Sequence, residues 1–92
     1  MDFAALPGGE IIRQGIDDLA AQRWTVPALL VAIGASRLRA CGVPVPDVHV
    51  YAPEHRLYDL LARTDPDSAH SRYNALIRRL VRFEHACDAR TH

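Results

Sequence analysis

The chain has 92 residues and no net charge, its eleven acids balanced by eleven arginines without a single lysine. Apolar residues make up 49% and charged residues 24%, the balance of an ordinary globular chain. That excludes disorder by composition, a collagen-like or disulfide-dense scaffold, and an acidic or basic tail. A chain this short buries only about 60–65% of its unfolded surface, so one thin core is expected over residues 1–92, and a partner surface would add to it.

Residues 1–9 read as an N-terminal arm, with Gly8 and Gly9 releasing the chain. From Glu10 onward, Ile12, Ile16 and Leu19 share one helical face with Ala20 beside them. Arg13, Gln14, Asp17 and Asp18 take the other, and the helix runs to Arg23 or Trp24 despite Gly15. Thr25 is a good N-cap and Pro27 sits in the first turn, where a missing N–H costs nothing. The second helix, Val26 to Cys41, is apolar almost all round as far as Ile33, which marks it as the centre of the fold. Gly34, Ala35 and Ser36 would let another helix approach it closely, and Gly42 fits the position just past its end.

Residues 43–53 carry Pro44, Pro46 and Pro53, which bar a helix and predict an extended crossover. Asp47 to Tyr51 alternates as a strand does, with Val48 and Val50 on one side. The chain offers no partner strand, so an extended loop is expected, with pairing across a homodimer as the alternative. Pro53 then opens a short helix, Glu54 to Arg63, directing Leu57, Leu60 and Leu61 inward. Asp65 as N-cap and Pro66 as first residue start the last helix, which runs to about Asp88. Its inner face is Ala69, Tyr73, Leu76, Ile77, Leu80, Phe83 and Cys87. The fold class is all-α: a compact four-helix single domain with a proline-rich extended crossover between helices 2 and 3.

Met1 to Gly9 has neither the basic nor the apolar region of a secretory signal. The longest apolar stretch, Val26 to Ala35, is about half the roughly 20 residues a membrane span needs. Cys41 and Cys87 show no CxxC spacing, and without an export signal they are expected as free thiols in a cytoplasmic protein. His70 and His85 with the two cysteines offer zinc-ligand atoms but lack paired spacing, so no metal and no cofactor are expected.

The most distinctive surface lies on the last helix. At 100° per residue, Arg72, Arg78, Arg79 and Arg82 fall within an arc of about 120° away from the apolar face, bordered by Asn74 and His85. No acid shares that arc, and Arg78 and Arg82 stand at i,i+4, where like charges repel. Either the stripe docks an acidic partner or nucleic-acid phosphates, or its arginines reach Asp17, Asp18 or Asp59 on neighbouring helices. Glu84 phases inward and needs a partner, for which Arg23 is the candidate.

Arg79 with His85, and Arg63 with His70, offer an arginine–histidine spacing that could serve a small helical RNase, the histidine moving a proton and the arginine stabilising the phosphorane. Leu80 after Arg79 and Pro66 after Arg63 do not suit that arrangement. No nucleophile elbow or phosphate-binding glycine loop is present. The expected function is therefore non-enzymatic: a cytoplasmic interaction or regulatory module that docks an acidic protein through Arg72, Arg78, Arg79, Arg82 and His85. Val48, Val50 and Tyr51 would form a dimer or partner loop. Nucleic-acid binding through the same stripe is the alternative, and no membrane contact is expected.

Overall fold

A 3-10 turn at Phe3–Ala5 precedes five helices: α1 Gly9–Ala20, α2 Val26–Ile33, α3 Ala35–Ala40, α4 Pro53–Thr64 and α5 Ala69–Thr91. The computed structural model describes residues 3–91, apart from the side chains of 4, 90 and 91, and contains no strand among them. Met1 and Asp2 of the N-terminal arm lie outside the described residues. The remainder of the arm is docked, with Phe3 meeting Phe83 edge-on at 6.2 Å and Leu6 packed against the core.

α1 buries Ile12 and Leu19 as its periodicity predicts, but it stops at Ala20, short of the expected Arg23. The chain then reverses through Gln22 (φ 57), and the Arg23 N–H donates to the Asp18 carbonyl at 2.8 Å. This corner corrects the placement of Asp18. Expected on the polar face, it is only 4% exposed, because the α1–α2 turn closes over it. Its carboxylate accepts from Gln14 Nε2 (2.9 Å), Arg23 Nε (3.1 Å), Arg23 Nη2 (2.9 Å) and the Thr25 hydroxyl (2.6 Å). A buried carboxylate is tolerable when its lone pairs are filled in this way. Thr25 Oγ1 accepts from the Ala28 N–H at 3.3 Å, so the N-cap read from the sequence is also the residue that ties α2 to Asp18.

α2 is the centre of the fold, with Ala28, Leu29, Leu30 and Val31 buried. The helix expected to continue to Cys41 breaks at Gly34, and this break makes five helices of the expected four. A Cβ on Gly34 would meet Glu84 Oε2 at 2.8 Å and Leu80 Cδ1 at 2.9 Å, so α5 crosses just where the expected close approach was read. A residue with no side chain to lose is also the weakest point of a helix. Gly42 (φ 90) follows the end of α3 in the left-handed region, as its position suggested.

Residues 43–50 form neither helix nor strand. Val43 is buried, Val45, Val48 and Val50 pack against the core, and Arg39 Nη2 donates to the Pro46 carbonyl at 2.8 Å. α4 buries Leu57 and Leu61. The expected start of the last helix at Pro66 is corrected to Ala69, with 65–68 forming a turn closed by Ser68 N–H to the Asp65 carbonyl at 3.2 Å. The Asp65 carboxylate lies against that turn. The Ser68 hydroxyl first, then the backbone N–H groups of Ser68 and Asp67, hold its carboxyl below the usual aspartate range against desolvation.

α5 lays Ala69, Leu80, Phe83 and Cys87 into the core, with Tyr73, Leu76 and Ile77 half-buried along its edge. Cys41 and Cys87 form a disulfide with 6.1 Å between Cα atoms, where two free thiols were expected. The end of α3 and the last turns of α5 converge across the core, a proximity that spacing along the chain does not encode. The thiol half of the argument for a reducing compartment falls with this bond. Among the described residues, no helix is long and apolar enough to cross a membrane.

Candidate functional site: the outer face of α5

α5 is long because nothing in Ala69–Thr91 breaks it, and its far side is left to solvent. Arg72, Arg78, Arg79 and Arg82 are all exposed, as their phase required. They divide electrostatically. Arg72 lies at the start of the helix and acts on the Asp65 carboxylate in the preceding turn. Arg78, Arg79 and Arg82 form no ion pair among the described residues, so none of Asp17, Asp18 and Asp59 reaches them. Asp18 is taken by Arg23 at 2.9 Å and Asp59 by His55 at 3.3 Å.

Glu84 does phase inward, but its partner is Arg37 at 2.9 Å rather than Arg23. Arg37, on α3 just after the break at Gly34, meets Glu84 on α5, while Arg23 turns back onto Asp18 at the α1–α2 corner. With Glu84 committed, the arginine stripe gains no neutralising acid from that position on its own helix.

A shallow groove of about 360 Å³ runs along this face between Ile77, Arg78, Val81, Arg82 and His85. Val81 is 37% exposed, unusual for a large apolar side chain flanked by two guanidinium groups. Sequence reasoning missed its part in the site. The available signal was the i,i+4 pair Ile77–Val81, which drifts off the apolar face toward the outer one. His85 forms a crest between this groove and a second cavity of about 290 Å³ that it shares with Arg37, Ala40, Cys41, Glu84 and Asp88. Arg79 lies toward the opposite flank, where its carbonyl is 3.3 Å from the Cβ position of Gly8.

The loop residues separate. Tyr51 is 82% exposed, whereas Val48 and Val50 turn inward and line a cavity of about 180 Å³ with Leu19, Ala32, Ala35 and Arg39. Exposure was expected of all three and holds for Tyr51. Tyr73, on the inner flank of α5, stacks at a tilt on Tyr58 with centroids 5.9 Å apart. Burial first, and then the Glu54 carboxylate, push its hydroxyl above the ordinary range.

The members of each arginine–histidine pair have different neighbours. Arg63 lies on α4 beside Trp24, whereas His70 is on α5 with its ring 3.2 Å from Asn74 Nδ2. His85 shares its groove with Arg78 and Arg82. Among the described residues, no group of three or more histidine, cysteine or acidic side chains could hold a metal ion. No protein-family model matches the chain, and neither a curated protein nor a solved structure matches it.

Proposed function

We propose that this chain is a non-enzymatic interaction module that docks an acidic protein surface along α5. The observation that carries the reading is that Arg78 and Arg82 are exposed and without ion pairs among the described residues, beside the apolar pair Ile77 and Val81, with Arg79 exposed and likewise without an ion pair toward the other flank. Like charges at i,i+4 cost the helix a few tenths of a kcal/mol. A partner bringing carboxylates would reverse that repulsion, and covering Val81 would add apolar burial. Arg72 and His85 flank this surface, and Tyr51 offers a separate apolar contact on the crossover, the segment through which a homodimer would form. The roles proposed for such a module are a regulatory subunit, an antitoxin-like neutraliser or an assembly factor acting in the cytoplasm.

The test is affinity purification of the tagged protein from its host, with and without nuclease, in parallel with the double variant Arg78→Glu, Arg82→Glu. A protein partner is expected to survive nuclease and to be lost from the variant, whose thermal melt should match the parent. Retention by the variant would mean that the stripe is only solvated. Nucleic acid in the eluate, removed by nuclease and by raised salt, would instead establish binding of phosphates by the same arginines.

A further inference from the structure

A second constellation, which shares no residue with the α5 stripe, stands at the α1–α2 corner and on α4. Trp24 sits in the tight α1–α2 corner and is 39% exposed, although it is the largest apolar side chain in the protein. On α4, Arg56, Leu60 and Arg63 fall on one face by their i, i+4, i+7 spacing, and that face looks onto the corner. The three, with Trp24, Leu29 and Asp59, enclose a half-open cavity of about 230 Å³.

The chemistry of the lining is divided. Leu29 is buried and Leu60 half-buried, which makes an apolar floor, and the indole makes a wall. The Arg56 guanidinium is held over the Trp24 ring, 5.0 Å from its centroid, an arrangement that fixes the cation without neutralising it. Neither Arg56 nor Arg63 forms an ion pair among the described residues. The one carboxylate in the lining, Asp59, is bridged to His55 at 3.3 Å on the preceding turn of α4.

We infer that this cavity is a binding site for a small monocarboxylate with an apolar body, of the aryl or branched-chain class. The body rests on Leu29, Leu60 and the indole, and the carboxylate faces Arg63 and Arg56. Size sets the first limit. Pockets for drug-sized ligands run from about 300 to 1,000 Å³, so this one takes a molecule of about ten non-hydrogen atoms and no nucleotide. Charge sets the second. The two guanidinium groups outnumber the one carboxylate in the lining, which suits a monoanion, and Asp59 opposes a phosphate dianion.

Trp24 is the only tryptophan in the chain, so its fluorescence reports on the cavity directly. The probe is phenylacetate, titrated into the intact protein, with phenylacetamide (the same body without charge) and acetate (the charge without a body) as comparisons. A saturable change is expected for phenylacetate, with a Kd of about 1 mM for a ligand of this size. Phenylacetamide and acetate should each bind about tenfold more weakly or less. Arg63→Gln, an exposed position that leaves the Arg56–Trp24 stack in place, should weaken phenylacetate about fivefold or more, and Asp59→Asn should tighten it. A response that does not saturate, equal binding of phenylacetamide, or an unchanged Kd in Arg63→Gln would overturn the assignment. None of these outcomes bears on the α5 stripe, which is tested by different residues.

Discussion

Replacing Gly15 by alanine separates two opposing effects whose sizes can be compared. In an isolated helix the change is favourable by about 1 kcal/mol, since glycine is the poorer helix former. In this protein α1 crosses α2 at Gly15. An added Cβ would lie 2.8 Å from the carbonyl carbon of Pro27, and closer still to its oxygen and to Val31 Cγ2. Carbon atoms pack at about 3.5–4.0 Å, so the helices would have to part by about 1 Å. The obstacle is backbone in the first turn of α2, a turn anchored by Thr25 to Asp18, so no rotamer change relieves it. Overpacking of this kind costs about 1–3 kcal/mol, and an immovable neighbour places it at the upper end. A net loss of about 2 kcal/mol is expected, which lowers the Tm of a domain this size by about 8–16 °C. Gly34→Ala is the matched comparison. There the added Cβ would meet Glu84 Oε2 at 2.8 Å and Leu80 Cδ1 at 2.9 Å, both ends of flexible side chains. Its cost should stay near 1 kcal/mol or below. Thermal melts of both variants, followed by far-UV circular dichroism, decide the matter. A Gly15→Ala protein as stable as the parent, or more stable than Gly34→Ala, would refute the reasoning.

The Cys41–Cys87 bond closes a separation of 46 residues, for which chain entropy gives a stabilisation of about 4 kcal/mol. Reductant should therefore lower the Tm by well over 10 °C on the same scale, and two titratable thiols in unreduced, denatured protein would contradict the bond. Thr25 first, then Arg23 and Gln14, hold the Asp18 carboxyl below its ordinary value against the opposing desolvation. That stability is complete above the unfolded value of about 3.9 and is lost as the pH falls through the folded one. Asp18→Asn should consequently melt lower than the parent near neutrality, with the gap narrowing in acid; a constant gap down to about pH 2 would count against this. Ala52 carries φ 48 ahead of α4, so Ala52→Gly should stabilise by about 0.5–1 kcal/mol in urea denaturation. The converse holds at Gly42 (φ 90), where nothing lies within 4 Å of the Cβ position and Gly42→Ala should cost about 1 kcal/mol from backbone strain alone.

Local chemistry along the chain was enough to identify the all-helical class and the main helical segments, though not their number. The Thr25 cap with Pro27 behind it, the three-to-four spacing of Ile12, Ile16 and Leu19, the leucines of α4 and the prolines of 43–53 act over a few residues, and each is legible within its own window. The exposure of Arg72, Arg78, Arg79 and Arg82 followed from phase in the same way. Pairing was decided only when the helices met. A Cβ at Gly34 would meet Leu80 and Glu84 of α5, and it is the packing of α5 there that gives Glu84 to Arg37 while Arg23 pairs with Asp18 at its own corner. Asp18 reads as surface by periodicity and is buried because a turn folds back over it. Cys41 meets Cys87, and Trp24 meets Arg56, across chain separations that no local pattern records. Helical phase assigns a side chain to a face, but the neighbour on that face belongs to another part of the chain, and only the tertiary packing brings it there.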